Sequence, residues 1–186
     1  QPDRDFYYLI GLRISNGQAY ERHSLWANDV NDEQRIWGDF LNILARTKTP
    51  VLVHYGSYET TFLTRMKARY GIPPRFTSLA AVFDQAINLV SVIYAKVYYP
   101  TYTNSLKDIA GHLGFEWSAP NASGLKSIAW RYQWEQSHSE DLKKILITYN
   151  TEDCEALERI TDSVRSLVAA KINPTSATEK EFVDVY

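Results

Sequence analysis

The run "PVLVHY" at residues 50–55 constrains the fold of this chain more than any other segment. It is short and apolar, contains β-branched residues, and lies between two stretches with helical spacing. Such a run is typical of a buried parallel strand, because parallel strands are covered by helices on both faces. The segment therefore predicts an α/β domain.

An antiparallel hairpin is predicted upstream of this run. The segment "FYYLIGLRI" (Phe6–Ile14) is β-rich, and "QAYERHSLW" follows it with partial alternation of side chains. Asn16-Gly17 between them is a strong signal for a tight turn. Together with the parallel strand, this hairpin predicts a mixed β-sheet flanked by helices.

Apolar residues at helical spacing predict the remaining elements. Asn31 is expected to cap the first helix and Gly71 to end the second. Ser105 with Asp108 has the pattern of a helix start, and Gly114 that of a stop. The stretch 77–97 is apolar and ambiguous, and we interpret it as mostly helical. The predicted helices span Asp32–Ala45, about Tyr58–Tyr70, most of Thr77–Val97, Ser105 to Gly114, about Leu125–Trp134, and Ser139 into the 160s.

Length and composition indicate one soluble globular domain over residues 1–186, with a polar peripheral tail at 174–186. The net charge of −2 argues against nucleic-acid binding by bulk positive charge, but it leaves room for a local basic groove. The single Cys154 cannot form an internal disulfide, which favours a cytoplasmic location. No apolar run reaches membrane-spanning length.

Two carboxylates lie at positions where a surface acid is not expected. Asp153 follows Tyr149 by one turn on a helix whose stripe otherwise carries Leu and Ile. Glu59 lies in the first turn of the helix that follows the predicted parallel strand. Asp153 alone would be an acid satisfied by internal donors, and Glu59 alone a helix-dipole acid. Because both carboxylates are expected at one end of a sheet, together they predict a site for Mg²⁺ or Mn²⁺.

The ordered motifs resemble a known family. "YNTED" supplies the Y-x₃-D form of the DEDD-type 3′–5′ exonucleases of the RNase H-like superfamily, and "HYGSYE" stands where those enzymes carry H-N-x-x-F-D. The set "LWANDVNDEQRIWGDFL", "VLVHYGSYETTFL", "YYPTYTNSLKDIAGHLGF" and "YNTEDCEAL" resembles the RNase H-like domain of predicted RecB-type nucleases over nearly the whole chain.

The resemblance implies a metal-dependent nuclease that hydrolyses phosphodiester bonds in DNA or RNA, as a 3′–5′ exonuclease. In that family two divalent cations lie across the scissile phosphate. By position, Glu59 and Asp153 would be metal ligands, and Tyr149 would orient the attacking water. Glu59 replaces the usual Asp, which lengthens its reach by one methylene. The resemblance also implies a RecB-type nuclease or helicase domain as a partner on a longer chain.

The family's first motif, D-x-E on a strand before "FYYLIGL", is missing from the printed sequence. Asp3-Arg4-Asp5 is a D-x-D, but it falls where the family has a turn, and two solvated acids are its better interpretation. We therefore expect that the domain lacks its first strand here. We also expect the 186 residues alone to be weakly active or inactive as a nuclease.

Other candidates surround these motifs. His54 and Tyr55 end the predicted strand and Lys107 begins a late helix, so all three are candidate substrate contacts, with ordinary packing or solvation as the alternative. Tyr98, Tyr99 and Tyr102 surround Pro100 in a loop, where they would stack on bases or simply pack. Lys126 is a similar candidate for a phosphate contact. Trp26, Trp37, Trp130 and Trp134 are expected in or near the core.

Two readings besides the nuclease stay open. A degenerate RNase H-like module would hold nucleic acid or a partner nuclease without cutting. A purely structural domain would satisfy Asp153 with internal donors such as Arg or Lys. The residues do not distinguish DNA from RNA, or exonuclease from endonuclease action.

Overall fold

The computed structural model describes residues 6–15 and 19–172, which form an α/β arrangement of strands and helices. The strands are β1 (Leu9–Ser15), β2 (Tyr20–Trp26), β3 (Val53–His54) and β4 (Ile87–Asn88). The helices are α1 (Glu33–Arg46), α2 (Tyr58–Tyr70), α3 (Leu79–Asp84), α4 (Leu89–Lys96), α5 (Leu106–His112), α6 (Gly124–Ser137) and α7 (Glu140–Ile172). Two short 3₁₀ helices cover Val30–Asp32 and Pro74–Phe76.

β1 and β2 form the predicted antiparallel hairpin. Ile10 lies opposite Leu25, and Ser15 lies opposite Tyr20. The turn expected at Asn16-Gly17 lies outside the described residues. Ile10 and Trp26 are buried, while Tyr20 is exposed, so the inner end of the hairpin joins the core.

The start of α1 differs from the prediction in its cap. Asp32, not Asn31, stands at the N-cap of α1, and its side chain makes no capping hydrogen bond. The 3₁₀ helix Val30–Asp32 comes first, and Asp29 caps that turn by accepting from the backbone N–H of Asn31 at 2.7 Å. Asn31 therefore lies inside the 3₁₀ turn, and α1 begins at Glu33. An Asx turn of this kind competes directly with the simpler cap that was predicted.

The parallel strand predicted from "PVLVHY" is confirmed as β3, and its partner is β4. β4 differs from the prediction, in which the stretch 77–97 is mostly helical. Its two residues interrupt that stretch between α3 and α4, and two residues are too few to show strand periodicity. The Asn88 side chain also accepts from the Gly56 backbone N–H at 3.0 Å, which ties β4 to the loop after β3.

The predicted helices after "PVLVHY" are confirmed with small shifts. α2 spans Tyr58–Tyr70 as predicted, and Gly71 ends it with a φ of 67° that favours glycine. Ser105 caps α5 by accepting from the Asp108 N–H at 3.1 Å, whereas the Asp108 carboxylate accepts from Thr103. None of the helices within residues 6–15 and 19–172 is both long and apolar enough to cross a membrane.

The described core consists of three groups of buried side chains. The largest lies between the hairpin, α1, α2 and α3, and includes Trp37. The second packs α4 and α5 against α7. The third joins β2, α6 and α7 through Trp26, Trp134 and Leu146, with Trp130 half-buried at its edge, so these tryptophans lie where the sequence predicted.

A glycine lets α7 approach β1 closely. A Cβ added at Gly11 would lie 1.9 Å from Asn150 Oδ1 and 3.0 Å from Cys154 Sγ, both on α7. No real Cβ tolerates the first distance, so a side chain at position 11 would push Asn150 and α7 away from the strand. Gly11 thereby sets the distance between the strand and the helix that carries "YNTED".

We expect Gly11→Ala to lower the free energy of unfolding by about 1–3 kcal/mol through overpacking, as measured by urea denaturation. Gly38→Ala is the matched control, since a Cβ there meets no atom within 4 Å in α1. It should stabilise the protein by about 0.5–1 kcal/mol because alanine is the better helix former. Equal stability of wild type and Gly11→Ala would show that α7 tolerates a wider separation.

Candidate active site

A cavity of about 370 Å³ lies where β1, β3, α2 and α7 meet. β1 lines it with Leu9–Leu12, and the segment 52–55 lines it on the other side. The two strands belong to separate two-stranded ladders, since β1 pairs with β2 and β3 pairs with β4 among the described residues. The cavity therefore lies between the hairpin and the parallel pair.

The cavity brings together four of the residues singled out from the sequence. Glu59 enters from α2, Asp153 from α7, and His54 and Tyr55 from the end of β3. Glu59 and Asp153 are 94 positions apart in the chain, and only the packing of α2 and α7 around the strands brings them to one cavity. The two carboxylates therefore line one cavity, which lies between the two strand pairs rather than at one end of a single sheet.

Asp153 is held by an aromatic donor rather than by a cation. Its Oδ1 accepts from Trp117 Nε1 at 2.9 Å. The Tyr149 hydroxyl, one turn earlier, lies near enough to lower the pKa of Asp153 slightly. Lys107 is close enough to act on Asp153 electrostatically, but its ammonium donates to the carbonyl of Ala122. Neither Lys nor Arg forms a salt bridge with Asp153 within the described residues.

Burial dominates the protonation of this pair. Removal of Asp153 from water raises its carboxyl pKa to about 6, against the opposing effects of the Trp117 hydrogen bond and the Lys107 charge. Burial, followed by the Asp153 charge, raises the pKa of Tyr149 to about 12. Tyr149 therefore keeps its proton at neutral pH and stays a hydrogen-bond donor.

Glu59 and His54 face each other across the second part of the cavity. Glu59 Oε2 lies 3.8 Å from His54 Nδ1, which is too long for a hydrogen bond, and both atoms are buried without a partner. Burial raises the pKa of the Glu59 carboxyl and lowers that of His54, although a backbone hydrogen bond at Gly56 opposes the latter shift. Burial therefore disfavours the charged forms of both groups.

α7 adds two residues to the cavity that the motif did not assign. Asp153 and Leu157 of the predicted stripe line it together with Asn150 and Cys154, so the face turned to the cavity is rotated partly away from Tyr149, Ala156 and Ile160. Asn150 Oδ1 is buried without a partner. Cys154, placed off the stripe from sequence, faces the cavity. Burial and the nearby Asp153 and Glu59 charges raise the pKa of its thiol to about 12, so it stays protonated.

Of the other predicted substrate contacts, Tyr55 lines the cavity, whereas Lys107 and Lys126 do not. The Tyr55 hydroxyl donates to the Asn104 carbonyl at 2.7 Å. Lys107 Nζ lies 5.2 Å from the ring centres of both Tyr149 and Trp117, and it donates a hydrogen bond to the Ala122 carbonyl. Lys126 is exposed. Within the described part of the chain, none of these three side chains donates a hydrogen bond to Asp153.

The cavity offers some, but not all, of the ligands that one hard divalent cation needs. Glu59 Oε2, Asn150 Oδ1 and the second oxygen of Asp153 are oxygen ligands of the kind that Mg²⁺ and Mn²⁺ prefer, with water or phosphate completing the shell. Within residues 6–15 and 19–172, however, no three His, Cys, Asp or Glu side chains group closely enough to hold a metal. The D-x-D of Asp3 and Asp5 lies outside the described residues.

Trp117 and Asn150 are the site residues that sequence reasoning missed. Trp117 lies in the loop between α5 and α6, 36 positions before the carboxylate it binds, and no local pattern marks it. Asn150 stands inside "YNTED", three positions before Asp153, so the helical period alone places it on the Asp153 side. The spacing of three residues from Asp153 is therefore the sequence signal that marks Asn150.

We expect Trp117→Phe to raise the pKa of Asp153 further, because the lost hydrogen bond favours the ionised carboxylate. Loss of an orienting partner typically costs about 10–100-fold in metal affinity. NMR titration of the Asp153 carboxyl measures the first effect and calorimetric Mn²⁺ titration the second. Trp130→Phe, in a different core group, is the control, and an unchanged Asp153 pKa in Trp117→Phe would contradict the assignment of Trp117 as a positioning residue.

Comparison with known proteins agrees with this architecture. The model of the RNase H superfamily matches residues 1–165, which is most of the chain. No curated protein and no solved structure matches the chain. The mixed α/β arrangement, with an antiparallel hairpin and a parallel pair of strands, is that of an RNase H-like fold. This chain therefore belongs to the RNase H superfamily.

Proposed function

We propose that this chain is a divalent-metal-dependent nuclease domain, of the 3′–5′ exonuclease type, acting on DNA or RNA. Membership of the superfamily makes it a nuclease-like or nucleic-acid-binding module. One observation carries the finer proposal. Two half-buried carboxylates from distant helices enter one cavity, and neither is paired with Lys or Arg there. Uncompensated acids of this kind are costly unless a cation joins them.

The roles of the chain's own residues follow from their contacts. Glu59 and Asp153 would hold the cation, with Asn150 beside them, and Trp117 fixes one Asp153 oxygen so that the other faces the cavity. A bound divalent cation lowers the pKa of water and neutralises charge on a phosphate. Tyr149, which stays protonated at neutral pH, would orient a water beside Asp153 from the neighbouring face of α7. His54 and Tyr55 line the cavity and would contact the substrate there.

The division of the strands into two ladders supports the expectation of a further acidic strand. β1 and β3 each leave one edge without a strand partner among the described residues, and the cavity lies between them. Its walls at Leu9, Leu12 and Leu52 are apolar, as a buried strand requires. A strand bearing D-x-E in this position would bring its acids to Glu59 and Asp153.

The non-catalytic binding module is the second candidate. It is favoured by the absence of a third carboxylate, His or Cys that could complete a metal site within the described ranges. A domain of this kind would bind nucleic acid on the same face without cleaving it. The two candidates differ in metal binding and in cleavage, and both can be measured.

The test combines a metal-binding readout with a cleavage readout. Thermal unfolding of the 186-residue chain is measured with and without Mn²⁺, and cleavage is followed on single-stranded DNA and RNA labelled at either end. The same assays are run on a chain extended upstream through any D-x-E strand. Stabilisation by Mn²⁺, with 3′-end shortening in the extended chain, supports the nuclease. Oligonucleotide binding with no metal effect and no cleavage in either chain would replace it with the binding module.

A further inference from the structure

An open groove lies beside the candidate active site and takes no part in it. It has a volume of about 610 Å³ and is formed by the end of α4 and the loop "VYYPTYTN". Three tyrosines line it with most of their surface in solvent: Tyr94 is 74%, Tyr98 is 87% and Tyr102 is 106% exposed. Aromatic rings left this exposed at one place indicate a binding surface more often than scattered exposure does.

The loop that carries these rings is fixed to the fold. Tyr99 is buried, and its hydroxyl donates to Ser163 Oγ of α7 at 2.9 Å. Thr101 donates from its backbone to the Tyr99 carbonyl at 2.8 Å and from its hydroxyl to the Thr103 carbonyl at 2.9 Å. Tyr98 and Tyr102 therefore stand on a fixed backbone on either side of an anchored residue, which reduces the entropy lost when they bind a ligand.

One hydrogen bond links the groove to the candidate active site. Tyr55 lines the active-site cavity, and its hydroxyl donates to the carbonyl of Asn104, which lines the groove. Burial and the neighbouring Tyr94 and Tyr99 raise the pKa of Tyr55 to about 12, so Tyr55 keeps the proton that makes this link. A chain-like ligand that leaves the cavity past Tyr55 would meet the tyrosines next.

The chemistry of the groove suits one kind of ligand. Its lining offers planar rings, threonine hydroxyls and a single cation, Lys96, with no carboxylate. Bases stack on aromatic rings whatever their sequence, while the backbone needs polar contacts and little competing negative charge. We propose that this groove binds the single-stranded stretch of nucleic acid adjacent to the nucleotides in the active site, with bases stacked on Tyr98 and Tyr102. The position of this strand next to the active site rests on the proposed function, whereas binding in the groove does not.

The experiment measures binding without catalysis. Fluorescence anisotropy in EDTA follows labelled oligothymidylate and oligouridylate of about 12 nucleotides, a length within the usual site sizes of such proteins. Tyr98→Ala and Tyr102→Ala should each weaken binding by roughly tenfold, a typical value for one stacked base. Tyr98→Phe and Tyr102→Phe should bind like wild type, because the ring is kept. Tyr132→Ala, exposed on α6 away from the groove, is the control.

Salt dependence gives a second readout. With Lys96 as the cation lining the groove, the logarithm of the association constant should fall with the logarithm of salt concentration at a slope of about −0.7. A steep slope would mean that phosphate contacts elsewhere dominate and would overturn stacking in this groove. Three other results would also overturn the proposal: unchanged binding in both alanine variants, equal losses of affinity in the phenylalanine variants, or no binding by wild type.

The outcomes separate this inference from the nuclease proposal. Binding that depends on Tyr98 and Tyr102, in a protein with no metal effect and no cleavage, would sustain the groove and reject the nuclease. Metal-dependent cleavage with normal binding by both alanine variants would sustain the nuclease and reject the groove. The thymidylate and uridylate arms show whether DNA or RNA is preferred.

Discussion

Asp153→Asn is expected to stabilise the metal-free protein by about 2 kcal/mol at pH 8 while removing its response to divalent cations. The wild-type carboxylate must ionise inside the cavity, where its pKa is raised from 3.8 to about 6. One pKa unit corresponds to about 1.4 kcal/mol, and partial exposure of the side chain reduces the full value. Asn keeps an acceptor for Trp117 and carries no charge that burial would penalise.

The pH dependence gives the sign of this effect. Below pH 4 Asp153 is protonated in both the folded and the unfolded chain, so wild type and Asp153→Asn should differ little. Between about pH 4 and 6 the unfolded chain releases the proton and the folded chain retains it, so wild-type stability falls as pH rises. Above pH 6 the full difference is present. In a chain of this length 2 kcal/mol corresponds to roughly 4–8 °C in Tm.

With a divalent cation present, wild type should become more stable than Asp153→Asn. If the proposed site holds a divalent cation, Mn²⁺ should bind the ionised carboxylate of the folded wild type and raise its Tm. Asp153→Asn should then show no such rise and should lose any cleavage that wild type has. Asp162→Asn is the matched control, since that side chain lies on α7 and is 64% exposed. If Asp153→Asn is less stable than wild type at pH 8, internal donors stabilise the ionised carboxylate. That result would support the alternative in which Asp153 has a purely structural role.

Glu33→Ala is expected to lower the free energy of unfolding by about 3–5 kcal/mol, the usual cost of breaking a buried ion pair. Glu33 is fully buried at the start of α1. Its carboxylate accepts from the Tyr7 backbone N–H at 2.9 Å, from Arg69 at 2.8 Å and from the Tyr70 hydroxyl at 2.7 Å. Removing it leaves the Arg69 guanidinium, 18% exposed, facing a cavity without its counter-charge.

A surface pair on the same helix provides the control. Arg35 and Asp39 lie four residues apart at 3.3 Å with side chains 51% and 45% exposed, so Asp39→Ala should cost less than about 1 kcal/mol. Urea denaturation of both variants measures the difference. A loss in Glu33→Ala no larger than that in Asp39→Ala would mean that water or rearranged side chains replace the three donors.

The sequence contained enough to predict the elements that have strong local patterns. α2 was predicted with its observed bounds because Phe62, Leu63 and Met66 keep helical spacing and Gly71 supplies the positive φ of the stop. The hairpin followed from alternation and a turn signal. β4 was missed because a strand of two residues gets its identity from its partner β3. Asn31 does not cap α1, because it lies in a preceding 3₁₀ turn that the Asp29 side chain caps.

The candidate site divides in the same way. From sequence alone, the helical period put Tyr149 and Asp153 one turn apart, and the strand-to-helix order put Glu59 near the end of a strand. Only the tertiary structure decided that Glu59, His54 and Asn150 share a cavity with Asp153, and that Trp117 holds its carboxylate. Local periodicity follows from the geometry of one element, whereas contacts between distant residues depend on how elements pack, which Gly11 and the buried Glu33 control here.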